Sequence, residues 1–131
     1  MVCFDSTFII DVIRGEDSVL DLERRIDKAN IGKNLPAPVV SEILRGMHLS
    51  PTPKEEKDVI INIINSSNIL PLNKESSILA GEINSELMKD GQDIGLVDCM
   101  IAAIVIKNKE VLITRNKKHF EKIPGLKIET Y

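Results

Sequence analysis

The apolar positions of this chain fall into short runs separated by helical repeats, and that alternation is the first structural information it carries. Residues 1–4 (MVCF) are continuously apolar, the pattern of a strand buried on both faces. Asp5 and Ser6 then open a helical spacing through Ile9, Ile10 and Ile13, and Gly15 closes it. From Asp17 to Ile31 the apolar residues Val19, Leu20, Leu22 and Ile26 recur at helical spacing among charges. This predicts an amphipathic surface helix, ended by Gly32. The stretch LPAPVV supplies only a short strand, because Pro36 and Pro38 remove backbone donors. SEILRGM after it reads as a helix with Glu42 in its first turn.

Residues 53–68 read as a further helix with Pro53 at its first turn, and ILPL (69–72) as a strand. A helix is predicted over about 74–89, then a loop bracketed by Gly91 and Gly95. Residues 96–106 (LVDCMIAAIVI) are apolar almost all round, as in a helix at the centre of a fold; their β-branched residues leave a strand reading open. VLIT (111–114) follows as a buried strand, 117–122 as a short basic helix, and LKIETY as a last, edge strand. Helices alternating with short apolar strands imply an α/β domain with a mainly parallel sheet covered on both faces. Ligands in such folds bind beyond the carboxyl ends of the strands, at a topological switch point. Asp5, just after the first strand, and residues 115 and 116, just after VLIT, should therefore share one rim.

Composition changes this picture little. At 131 residues the chain suits a single domain, 1–131, with neither repeats nor low-complexity tracts. Three Phe, one Tyr and no Trp leave too few aromatics for a base-stacking platform. A net charge of -3 argues against binding nucleic acid by a basic surface alone, but not against an enzyme that meets phosphate through divalent cations. Cys3 and Cys99 lie in apolar runs and read as reduced, buried thiols, which favours a cytoplasmic location. No apolar run approaches the roughly 18 residues that span a bilayer, so neither an export signal nor a membrane anchor is expected.

Candidate chemistry resides in the acids. Asp5 has two readings, a helix N-cap or a functional carboxylate at a strand's end. Asp98 is the single polar residue in its apolar run, and its i+3 and i+4 neighbours, Ile101 and Ala102, offer no counter-charge. An ionised group there needs one from elsewhere, and a bound cation would supply it. Glu42 alone could be an ordinary first-turn glutamate. Together Asp5, Glu42 and Asp98 match the all-oxygen donor set that Mg²⁺ or Mn²⁺ prefers. CxxC, HExxH, P-loop and GxSxG signatures are absent, and with His48 and His119 standing alone a zinc site is not expected.

Four blocks carry a family likeness: FDSTFIID (4–11), VVSEILRG (39–46), LVDCMIAA (96–103), and ITRNKKHF (113–120) followed by IPGLKIE (123–129). In order and spacing the chain resembles the PIN-domain family over essentially its whole length, and within it the small VapC-type toxin ribonucleases of toxin–antitoxin pairs. The resemblance implies a three-layer α/β/α sandwich with a parallel sheet and an acidic pocket for Mg²⁺ or Mn²⁺. It also implies endonuclease activity on RNA, an antitoxin partner and a homodimer. Asp5, Glu42 and Asp98 correspond to the family's acids. Asn116 stands where relatives often carry a further Asp, which keeps an oxygen ligand but removes a charge. Ser6 and Thr114 resemble hydroxyl residues flanking the pocket. Arg14, Arg45, Arg115, Lys117 and Lys118 are candidate contacts to RNA phosphates, or else ordinary solvated charge. Two other functions compete: a housekeeping RNA-processing nuclease, and a PIN-like binding module without catalysis.

Overall fold

In the computed structural model, which describes residues 1–131, five strands form one sheet with every pairing parallel. The first strand, β1 (Val2–Phe4), is buried at all three positions, as its unbroken apolar run requires. It pairs on one side with β2 (Lys33–Pro36) and on the other with β4 (Val111–Ile113). The edges are β3 (Asn68–Leu70) and β5 (Lys127–Glu129), giving the order β3-β2-β1-β4-β5. The chain thus moves one way from β1 and later returns to its other side, so β1 and β4 flank the switch point. Phe4 pairs with Ile113, which sets the residues after these two strands side by side.

The crossovers are helical. Two helices, α1 (Ser6–Arg14) and α2 (Asp17–Lys28), join β1 to β2, and α3 (Ala37–Leu49) and α4 (Lys54–Ser66) join β2 to β3. The return to β4 uses α5 (Lys74–Lys89) and α6 (Leu96–Lys107), which pack on each other; α7 (Lys117–Phe120) precedes β5. By the right-handed rule for parallel crossovers, steps in opposite directions along the sheet carry their helices to opposite faces, the three-layer arrangement; α1 packs on α2, α3 and α4, and α5 on α6. The apolar all-round sequence of α6 is explained by its position: Cys99 and residues 101–105 are buried. Both cysteines are free and buried, and burial, then the charge of Glu110, pushes the Cys3 thiol up to about 12. No helix is long and apolar enough to cross a membrane.

Several boundaries differ from the sequence reading: ILPL, VLIT and the helix at 117–122 each end early, at Leu70, Ile113 and Phe120, and three other differences have local causes. The second helix ends at Lys28 rather than Gly32, because Asn30 adopts a left-handed φ of 54° and turns the chain first. Gly32 lies beyond the helix end, where its backbone carbonyl accepts the Val2 N–H at 3.2 Å. The LPAPVV strand is Lys33–Pro36, and Pro38 belongs to the first turn of α3, where a missing N–H costs nothing. Helix α3 therefore begins before Ser41, and Glu42 lies in its second turn, not its first.

Candidate active site

Asp5 is the N-cap of α1 and part of a hydrogen-bonded rim at once, so its two sequence readings are not exclusive. Its Oδ1 accepts from the Thr7 hydroxyl at 2.6 Å and the Phe8 N–H at 3.4 Å. Its Oδ2 accepts from the Thr114 hydroxyl at 2.5 Å. Thr114, just past β4, is fully buried and in turn accepts the Asn116 N–H at 2.9 Å. The Thr7 hydroxyl accepts the Arg115 N–H at 3.2 Å. Two hydroxyls thereby lace the segment after β4 onto the start of α1. Burial raises the pKa of Asp5, the donors from Thr114, Thr7 and Phe8 oppose that rise, and the charge of Asp98 adds to it.

Glu42 and Asp98 come from α3 and α6, which pack together. Burial raises the Glu42 pKa most, followed by the negative charge of Asp98; Arg45 lowers it and Asp5 raises it further. The three acids are thus close enough to feel one another, although they are scattered in sequence. One Glu42 oxygen, Oε1, is buried without a hydrogen-bond partner. Asp98 Oδ2 lies 3.1 Å from His119 Nδ1, on α7. Asp98 thus has a polar neighbour from outside its own helix, and His119 does not stand alone.

No three His, Cys, Asp or Glu side chains yet surround a common point closely enough to enclose an ion. The donor set still suits a hard divalent cation. It is all oxygen, the neighbouring negative charges raise the pKa of Asp5 and of Glu42, and one buried carboxylate oxygen is unpartnered. A cation would answer all three features.

The remaining candidates separate. Ser6, Arg14 and Arg45 line, with Glu42, a cavity of about 420 Å³ between α1, α3 and α4. Ser6 does not bond Asp5; Thr7, one residue on, does. Asn116 precedes α7 and makes no side-chain cap hydrogen bond; its tie to the site runs through its backbone N–H. Lys117 and Lys118 are exposed, whereas Arg115 is tied through Nε to Asp11 at 3.4 Å. Sequence reasoning passed over Thr7, Asp11 and His119. Thr7 had a local signal, a hydroxyl two residues after an N-cap acid; the other two had none, because their partners lie far along the chain.

A family model described as the PIN domain matches residues 2–126. The chain is 31% identical over 90 residues to a Salmonella typhimurium protein named tRNA(fMet)-specific endonuclease VapC, covering 69% of this chain and 68% of that one. It is 28% identical over 128 residues to ribonuclease VapC2 of Haemophilus influenzae, covering 97% and 95%. In fold it is similar to a chain in the crystal structure of VapBC2 from Rickettsia felis bound to a DNA fragment from their promoter. That match has a TM-score of 0.88 at 23% identity and covers 100% of this chain and 99% of that one.

Proposed function

Because the chain belongs to the PIN-domain family, we propose that it is an endoribonuclease, the toxin of a toxin–antitoxin pair, and that it works with Mg²⁺ or Mn²⁺ at Asp5, Glu42 and Asp98. Relatives named VapC ribonucleases support the activity, and likeness to a chain of a VapBC complex supports an antitoxin partner. The observation that carries the metal reading is the convergence of three carboxylates at the switch point with Glu42 Oε1 unpartnered.

Asp5 and Asp98 would hold the ion. When bound, such an ion supplies an activated water and positive charge to offset the departing oxygen. Thr7 and Thr114 keep the Asp5 carboxylate from turning, and His119 does the same for Asp98. Glu42, whose raised pKa follows from burial and the neighbouring negative charges, serves the same site either by holding the ion through its free oxygen or by orienting the attacking water as a base. Asn116 adds a neutral oxygen at the rim.

RNA cleavage with Mn²⁺ or Mg²⁺ tests this directly. The wild type should cut, while Asp98→Asn and EDTA should each abolish cutting; equal cleavage in all three would refute the metal mechanism. A homodimer belongs to the same reading, since α5 and α6 expose Ile78, Met88, Leu96 and Val97. Sedimentation should report two chains, and a monomer at every concentration would exclude the dimer.

A further inference from the structure

Asp11 is a buried acid that the acidic cluster does not use. It lies on α1, only 1% exposed, with Oδ1 lacking a hydrogen-bond partner. Its Oδ2 accepts the Tyr131 hydroxyl at 2.6 Å and faces Arg115 Nε at 3.4 Å. A carboxylate this buried is kept against a large desolvation cost, and an apolar residue would pack a helix–sheet interface as well or better. What Asp11 adds is a fixed position for Arg115.

The fixation is double. The Arg115 backbone N–H is held by Thr7 and its side chain by Asp11, and these two lie one turn apart on the same face of α1. Tyr131 closes the arrangement. Its ring packs edge-on against Phe8, with centroids 5.8 Å apart and planes at 86°, and burial together with its bond to Asp11 keeps the phenol protonated as a donor. The Arg115 side chain is nevertheless 53% exposed, and its ion pair uses Nε alone. The two terminal nitrogens of this planar, phosphate-matching fork enter no hydrogen bond or ion pair within the chain. Arg14, Arg45, Lys117 and Lys118 are exposed and show no such tether.

Asp11 follows Asp5 by six positions, roughly 9 Å along the helix axis at about 1.5 Å per residue. The Arg115 backbone is thus held at Thr7, near Asp5, while its guanidinium is tied further along α1 at Asp11, off the carboxylates themselves. We propose that Arg115, positioned by Asp11 and Tyr131, grips the RNA phosphate next to the scissile one. A pre-ordered arginine loses little side-chain freedom on binding, which is the advantage of tethering it. The assignment rests on the endoribonuclease reading for its substrate, but it concerns binding, which can be measured without cleavage.

The test is affinity for a short fluorescent single-stranded RNA in EDTA across a range of salt, with the wild type, Arg115→Ala, Arg115→Lys and Tyr131→Phe. Removing one phosphate contact should weaken Arg115→Ala about 10-fold and flatten its log Kd against log salt slope by about 0.7. Arg115→Lys should recover the slope but only part of the affinity. Tyr131→Phe should lose about 3-fold with the slope unchanged, because the charge stays while its positioning loosens. In cleavage assays the Arg115→Ala loss should fall mainly on KM. Unchanged affinity and slope in Arg115→Ala, even with a lower thermal midpoint, would make the Asp11–Arg115 pair a purely structural tie and overturn the proposal. A wild type that fails to bind RNA at any salt would overturn it as well. Binding with the expected slope change but no cleavage would sustain the proposal and refute the nuclease reading alone. Should Arg115→Ala fail to fold, Arg115→Lys and Tyr131→Phe decide: wild-type affinity in both overturns the proposal.

Discussion

The two halves of the acidic cluster contrast. Asp5 is well supplied with donors: hydroxyls from Thr7 and Thr114 and the Phe8 N–H all point at its carboxylate. Glu42 has the opposite circumstances, with a buried oxygen lacking any donor and two negative neighbours raising its pKa. The same functional group thus serves as a fastener at the β1–β4 rim and as a point of repulsion between α3 and α6. The difference teaches that proximity of acids is not one phenomenon. At Asp5 donated hydrogen bonds offset part of the cost of burial, whereas at Glu42 only the charge of Arg45 does so, leaving more for a cation or a proton to relieve.

Opposite signs of mutational effect would sharpen that contrast, and equal signs would break it. The largest change is expected from Thr114→Val, which removes the donor to Asp5 Oδ2 and leaves a buried carboxylate oxygen exposed to apolar surroundings. It should destabilise the protein by about 1–3 kcal/mol in denaturant unfolding and depress RNA cleavage. An unmoved midpoint would mean that Asp5 is not held through this bond. The effect of Glu42→Gln should be smaller and of the other sign, raising the thermal midpoint of the metal-free protein by a few degrees or less while cleavage is lost.

Acid titration offers the finest distinction. Asp5 and Glu42 have pKa values raised above their ordinary 3.8 and 4.5. Groups raised in the folded state contribute stability that is present below the ordinary values and lost as pH rises through the folded ones, because the folded form then holds more protons than the unfolded. Metal-free stability should therefore decline with rising pH across that window. Glu42→Gln should make the decline shallower, and Mn²⁺ should oppose it; a slope identical in the variant would remove Glu42 from the account.

Much of the architecture could be read locally. The run MVCF announced a doubly buried strand because no polar residue interrupts it, and 74–89 emerged as a helix with both ends correct. Gly91 and Gly95, placed as loop brackets, do take positive φ. Where reading failed, the deciding signal was weak or lay elsewhere. Asn30 turned a helix that Gly32 was expected to end, since Asn also tolerates the left-handed region. Pro38 looked like part of a broken strand when it opens α3, which moved Glu42 to the second turn.

The site divides along the same line. Sequence by itself determined the placing of Asp5 at a strand's end and the conspicuousness of Asp98, because strand runs, caps and a lone charge among apolar residues are properties of neighbouring positions. Only the tertiary structure decided that Thr114 would donate to Asp5, that His119 would reach Asp98, and that Tyr131 and Arg115 would meet over Asp11. Those bonds join residues that the parallel crossovers carry back to one rim from distant parts of the chain. Side-chain hydrogen bonds act over about 3 Å and leave no periodic trace in the sequences that form them.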